Sequence, residues 1–144
     1  MAVADGDTFT LLENGKQWRI RVYAIDAPEK GMPYYKAARK YLSDLCFGRR
    51  VRIQPTKKDR YGRLVASVTL PDGTDLAAQM IRAGYAWHYK HYSADRVLAG
   101  LETHAKHNRH GLWRDDKALP PWEVRRLRRQ GIPVKTGVEH PVDF

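Results

Sequence analysis

A single cysteine, Cys46, leaves no partner for an intrachain disulfide, so no internal staple stabilises this chain and its redox compartment stays open. Cys46 sits among Tyr41, Leu42 and Leu45 at helical spacing, a context for a buried, inert thiol. No stretch reaches the roughly 20 apolar residues that a membrane helix needs, so no membrane partner is expected. No signal peptide is read at the start. The chain opens almost directly on Val3-Ala4-Asp5, a lead-in so short that a trimmed or processed N-terminus is the expectation, and localisation is left unknown. Acidic residues are outnumbered, 16 against 26 Lys and Arg, and residues 1–113 alone hold 19 basic and 11 acidic. The excess therefore belongs to the domain rather than to a tail. A basic surface attracts polyanions in a salt-dependent way; plain solubility is the blander explanation.

What is present suits one domain with a true core, expected as a monomer: 144 residues, 42% of them apolar. Acids crowd two short segments, Asp5-Gly6-Asp7-Thr8 and Ile25-Asp26-Ala27-Pro28-Glu29, with Arg21 between them. The run Val3 to Leu12 is expected as one strand and Gln17 to Ala24 as the next, because Asn14-Gly15 between alternating segments is a strong hairpin signal. Folding about that turn sets Asp7 opposite about Val22, brings Asp26 close to Asp7 and leaves Arg21 beside them. Pro28 stops the strand before Glu29. Crowded carboxylates raise each other's pKa, and a hard divalent cation with oxygen ligands removes that cost. With no His or Cys in either segment, zinc is not the expectation. Taken singly, Asp-Gly and Asp-Ala-Pro are ordinary turn chemistry.

The rest of the chain reads as short strands and helices. Pro33 to Phe47 is expected as a helix, Arg50 to Gln54 as a strand with Val51 and Ile53 inward, and Lys57 to Arg63 as a basic loop leading into a strand over Leu64 to Leu70. Pro71-Asp72-Gly73 is a turn, Asp75 to Ala83 a second helix, and Ala94 to about Asn108 a third, capped by Ser93, with Val97, Leu98, Leu101 and Ala105 as its apolar stripe. His104, His107 and His110 drift around that helix, and no acid or cysteine completes a zinc set. Tyr85 to Tyr92 is dense in aromatics with cations between, a composition suited to stacking on bases, with Trp87 packed. Gly111-Leu112-Trp113 ends the domain. Residues 114–144 form a C-terminal extension, with a short basic helix in segment 121–130 started by Pro120-Pro121 and the remainder extended or disordered. Strands and helices in this order predict an α+β fold, a small Greek-key, OB-like β-barrel dressed with helices.

Three blocks carry a specific likeness: Asp5-Gly6-Asp7-Thr8, then Arg21 with Ile25 to Glu29, then Asp59-Arg60-Tyr61-Gly62-Arg63 followed by Leu64-Val65-Ala66. In that order and at those spacings, over about residues 2–113, they resemble the staphylococcal nuclease (thermonuclease) family. The resemblance implies a five-stranded OB-like barrel with about three α-helices and a Ca²⁺-dependent nuclease acting on DNA and RNA. Asp7 and Asp26 are similar to the two carboxylate ligands of Ca²⁺, the backbone carbonyl of Ala27 to a third ligand, and Asp5 to an acidic position just outside them. Ala27 stands where the family's best-known member has threonine, so a backbone ligand survives and side-chain help is lost. Glu29 resembles the residue that activates or orients the attacking water. Arg21 and Arg63 resemble the two arginines on the scissile phosphate, and Tyr61 a tyrosine on its neighbour. Tyr89 or Tyr92 would flank the base, with Lys57, Lys58 and Arg60 as further nucleic-acid contacts. These residue types suit the chemistry in their own right: arginine matches phosphate bidentately and keeps its charge, and a metal polarises the phosphoryl oxygens. The competing expectation is a module of the same fold that binds nucleic acid without cutting it; a calcium-binding adaptor would leave Tyr61 and the paired arginines unexplained.

Overall fold

The computed structural model describes residues 2–134. The strand expected over Val3 to Leu12 is two strands, β1 (Ala2–Asp5) and β2 (Thr8–Glu13), because Gly6 and Asp7 form a turn that folds β1 back antiparallel on β2. Asp5 Oδ1 accepts the Asp7 amide at 3.1 Å and closes that turn locally. The second hairpin follows the sequence: Asn14 and Gly15 both take positive φ, 51° and 77°, and Glu13 pairs with Lys16 as β3 (Lys16–Val22) begins. After a short strand β4 (Ile25–Asp26), α1 spans Tyr35–Cys46, starting and stopping inside the expected limits.

β5 runs over Arg52–Lys58, so Lys57 and Lys58 lie on a strand rather than in the loop. Lys57 pairs with Val65 and Lys58 with Leu64 of β6 (Leu64–Thr69). Pro55 and these lysines fit there because β5 is an edge, where a missing donor and exposed charge are tolerated. All of these strands but β4 form one mixed five-stranded sheet in the order β1-β2-β3-β6-β5, with β3 and β6 parallel. The sheet stays open between β1 and β5, so the barrel is not closed, while the α+β class holds with four α-helices among the described residues.

Helix α2 (Leu76–Arg82) and strand β7 (Trp87–His88) lead to α3 (Arg96–His107). The α3 cap is Asp95 rather than Ser93: its carboxylate accepts the amides of Val97 and Leu98 at 2.8 and 3.1 Å. Ser93 instead meets His88 Nε2 at 2.9 Å. Val97 faces solvent, whereas Glu102 is buried on the inner face and accepts the His88 amide at 2.7 Å, tying β7 to α3. The main core gathers Phe9, Ile20, Leu42, Val68, Met80 and Ile81 between sheet and helices. A second cluster of Tyr34, Trp87 and Leu112 receives Trp113, Ala118 and Trp122, so the start of the extension is seated on the domain. There α4 (Pro121–Arg129) opens on Pro121. The extended or disordered end expected beyond it lies from residue 135 outside the described residues.

Candidate active site

Two turns and one register bring the predicted residues together. The amide of Val22 donates to the Asp7 carbonyl at 2.8 Å, so Asp7 does face Val22, and Arg21 pairs with Thr8 one step along the ladder. On its other side Arg21 pairs with Val65 in parallel register, which carries the Asp59 to Arg63 loop to the same edge. Antiparallel pairing of β4 with β7, Asp26 opposite Trp87, holds the third segment in place.

Asp7 and Asp26 are only 4% and 2% exposed. Asp7 Oδ2 accepts the Ala27 amide at 2.8 Å and Oδ1 the Thr8 hydroxyl at 2.9 Å. Arg21 is anchored by Nη1, which donates to the carbonyls of Val22 and Ile25 at 2.8 and 2.7 Å. Its Nη2 then faces Asp7 Oδ2 at 3.7 Å and Asp26 Oδ1 at 3.5 Å. Gly6 lets the Asp5 to Asp7 turn lie against the core: a Cβ there would be 2.9 Å from both the Ala27 and Ala38 Cβ atoms.

Burial, reinforced by the Asp7 charge, pushes Asp5 up to about 8 and Asp26 up to about 6. Burial also works against ionised Asp7, but Arg21 and the hydrogen bonds from Ala27 and Thr8 outweigh it and hold Asp7 below the ordinary carboxylate range. No group of three His, Cys, Asp or Glu side chains converges as a ready metal cage among the described residues. Asp7 and Asp26, both facing Arg21 Nη2, offer a donor set of carboxylate oxygens alone. That set fits a hard divalent ion retaining several waters, and does not fit zinc.

The second arginine is held by its own loop. Asp59 accepts the amides of Tyr61 and Arg63, both at 2.9 Å, and Arg63 Nε at 2.8 Å. Gly62 takes the positive φ, 78°, on which the loop turns. Arg63 Nη1 thereby comes within 3.4 Å of Thr8 Oγ1, whose hydroxyl already donates to Asp7. Tyr61, 58% exposed, lies under Arg60 and Arg63, and Arg19 donates to its carbonyl at 3.1 Å. Lys58 is exposed on β5, and Lys57 stands 5.0 Å from the ring of exposed Tyr92. Tyr89 is less open than expected: Trp122 stacks on it with centroids 5.2 Å apart and planes 4° from parallel.

Glu29, just beyond Pro28, joins the site through a residue that sequence reasoning did not place there. Arg125 of α4 donates through Nη1 to Glu29 Oε1 and through Nη2 to Asp26 Oδ2 at 2.8 Å. No local periodicity signals a contact across 96 and 99 residues; the one hint was a basic helix started by Pro120-Pro121 with a tryptophan inside it. Thr8 was missed as well, though it is buried and connects Asp7 to Arg63.

Comparison with known proteins relates the chain to named nucleases. Residues 19–115 match the family described as staphylococcal nuclease homologue, a span that takes in Arg21, Asp26, Glu29 and Arg63. An uncharacterised endonuclease of Escherichia coli is 40% identical over 120 residues, 83% of this chain and 78% of that protein. The micrococcal nuclease of Shigella flexneri is 37% identical over 137 residues, 88% of this chain and 79% of its own. A probable staphylococcal-like nuclease of Oryza sativa subsp. japonica is 40% identical over 116 residues, 81% of this chain but 35% of that longer protein. With the matched span covering more than half of the chain and both arginines, the chain belongs to the staphylococcal nuclease homologue family.

Proposed function

We propose that the protein is a Ca²⁺-dependent nuclease that hydrolyses phosphodiester bonds of DNA and RNA, acting from a domain over residues 1–113. The observation that carries this reading is Arg21 Nη2 lying between buried Asp7 and Asp26 while Thr8 links Asp7 to Arg63, so two guanidiniums flank one anionic centre. Asp7, Asp26 and the Ala27 carbonyl would hold the ion, with Asp5 just outside. When bound, the ion supplies neutralisation of the non-bridging phosphate oxygens.

The chain's own residues do the rest. Arg21 and Arg63 grip the scissile phosphate and stabilise the charge of the five-coordinate transition state. Glu29 directs a water in line with phosphorus and takes its proton as the new P–O bond forms. The bond to the 5′ oxygen breaks, that oxygen is protonated from solvent, and a 3′-phosphate remains on the other fragment. Tyr61, Arg60, Lys57 and Lys58 hold the strand by its phosphates, and exposed Tyr92 offers a ring face to a base.

Digestion of single-stranded DNA by wild type, Glu29→Ser and Arg63→Ala, with Ca²⁺ or chelator, tests this. Cleavage by wild type in Ca²⁺ alone, with losses of about 10³-fold or more in the Arg63 variant, is the expected result. A wild type that binds the DNA without cutting it selects a binding-only module instead.

A further inference from the structure

Helix α4 lies beyond the family match, yet one of its side chains touches two acids of the site. We infer that Arg125 is a positioning residue for hydrolysis: its planar guanidinium spans Asp26 and Glu29 and fixes the geometry of one relative to the other. This rests on the nuclease reading above.

The spacing of Asp26 and Glu29 decides whether a water directed by Glu29 meets the phosphorus gripped by Arg21, whose Nη2 faces Asp26 Oδ1. Pro28 ends the extended run between them, and the turn from Glu29 to Met32 holds the Glu29 backbone without binding its carboxylate. Asp26 is immobilised by β4 pairing and burial, but Glu29 follows on a loop with its side chain 37% exposed. Among the described residues, Arg125 is the one side chain hydrogen-bonded to the Glu29 carboxylate. Its two amino groups are rigidly joined, so binding Asp26 Oδ2 with one aims the Glu29 oxygen with the other. Asp26 Oδ1 remains turned toward Arg21.

The helix is built to deliver this fork. Pro121 and Val124 are buried, and Trp122 stacks on Tyr89 next to β7, the strand that pairs with Asp26. Arg125, one residue past Val124, therefore emerges at the carboxylates from a seated base, with 31% of its side chain exposed. Burial opposes its charge, but Asp26 and Glu29 raise its pKa above the ordinary guanidinium value, so it stays protonated.

The test compares full-length wild type, Arg125→Gln, Arg125→Lys, Glu29→Gln and the double Arg125→Gln/Glu29→Gln on single-stranded DNA with Ca²⁺. Near-ultraviolet circular dichroism follows the Tyr89–Trp122 stack in each. Arg125→Gln is expected to lose about 10- to 100-fold in kcat with KM changed by less than about threefold, and to keep the dichroism signal. Arg125→Lys should recover part of the rate, since an ammonium reaches one carboxylate but lacks the fork. The double variant should cut no more slowly than Glu29→Gln alone. A rate in Arg125→Gln equal to or above wild type overturns the inference, as do losses that multiply in the double variant, or a rate lost together with the stacking signal. A wild type without Ca²⁺-dependent cleavage removes the nuclease reading and this one with it; a cleaving wild type indifferent to position 125 removes this one alone.

Discussion

Replacing Gly6 by alanine isolates the packing that holds the acidic turn in place. The substitution adds one methyl group and no charge, and Gly6 is not among the glycines with positive φ, so backbone strain is not the issue. The methyl would meet the Ala27 and Ala38 Cβ atoms at 2.9 Å, where ordinary contact is 3.4 Å or more. Ala27 is fully buried and Ala38 lies on α1, so neither side can yield cheaply and the turn itself must move outward. Overpacking of this kind costs about 1–3 kcal/mol, a fall in Tm of roughly 3–12 °C for a chain of this size. The same shift lengthens the 2.8 Å bond from the Ala27 amide to Asp7. Gly6→Ala should therefore lose nuclease rate at temperatures where it is still folded, by about 10- to 100-fold given how steeply rate depends on alignment. Thermal melts followed by circular dichroism, with cleavage assayed well below the midpoint, measure both. An unchanged midpoint with an unchanged rate would refute the claim that this close approach sets the position of Asp7.

Two further outcomes follow from the same close packing and burial. Asp26 is raised from an ordinary 3.8 to about 6, so the folded state holds its proton more tightly than the unfolded chain, and stability is lost as pH climbs through that window; at about 1.4 kcal/mol per pH unit this amounts to roughly 3 kcal/mol. Asp5, raised to about 8, extends the decline upward, and urea midpoints of metal-free protein should fall between pH 5 and 8; a rise would contradict the burial of these acids. At the far end of the domain, Gly84→Ala places a Cβ 2.2 Å from the His110 carbonyl at a φ of +82°. A loss of more than about 3 kcal/mol is expected by chemical denaturation, since backbone meets backbone there and cannot repack.

How much of this was legible depended on whether the signal was local. Asn14-Gly15 announced its hairpin because both residues tolerate positive φ, and the Asp7, Arg21 and Asp26 neighbourhood followed from folding the chain about that point. The same reasoning overran at Gly6, since Val3, Phe9 and Leu11 keep an apolar rhythm on both sides of the turn and hide the break between β1 and β2. Lys57 and Lys58 looked like loop residues because composition does not distinguish an edge strand from a loop. Asp95 competed with Ser93 as a helix cap two positions apart, closer than sequence patterns resolve. Arg125 was out of reach for a different reason: its contacts form only once α4 is seated by Trp122 and Val124, a tertiary event with no periodic trace.

The central claim is that buried Asp7 and Asp26 form a divalent-cation site beside two arginines. Calorimetric titration of the full chain with Ca²⁺, beside the same titration of Asp26→Asn, tests it most directly. A single Ca²⁺ site in wild type that disappears in Asp26→Asn is the predicted result; heat absent from wild type, or an unchanged isotherm in the variant, would contradict it.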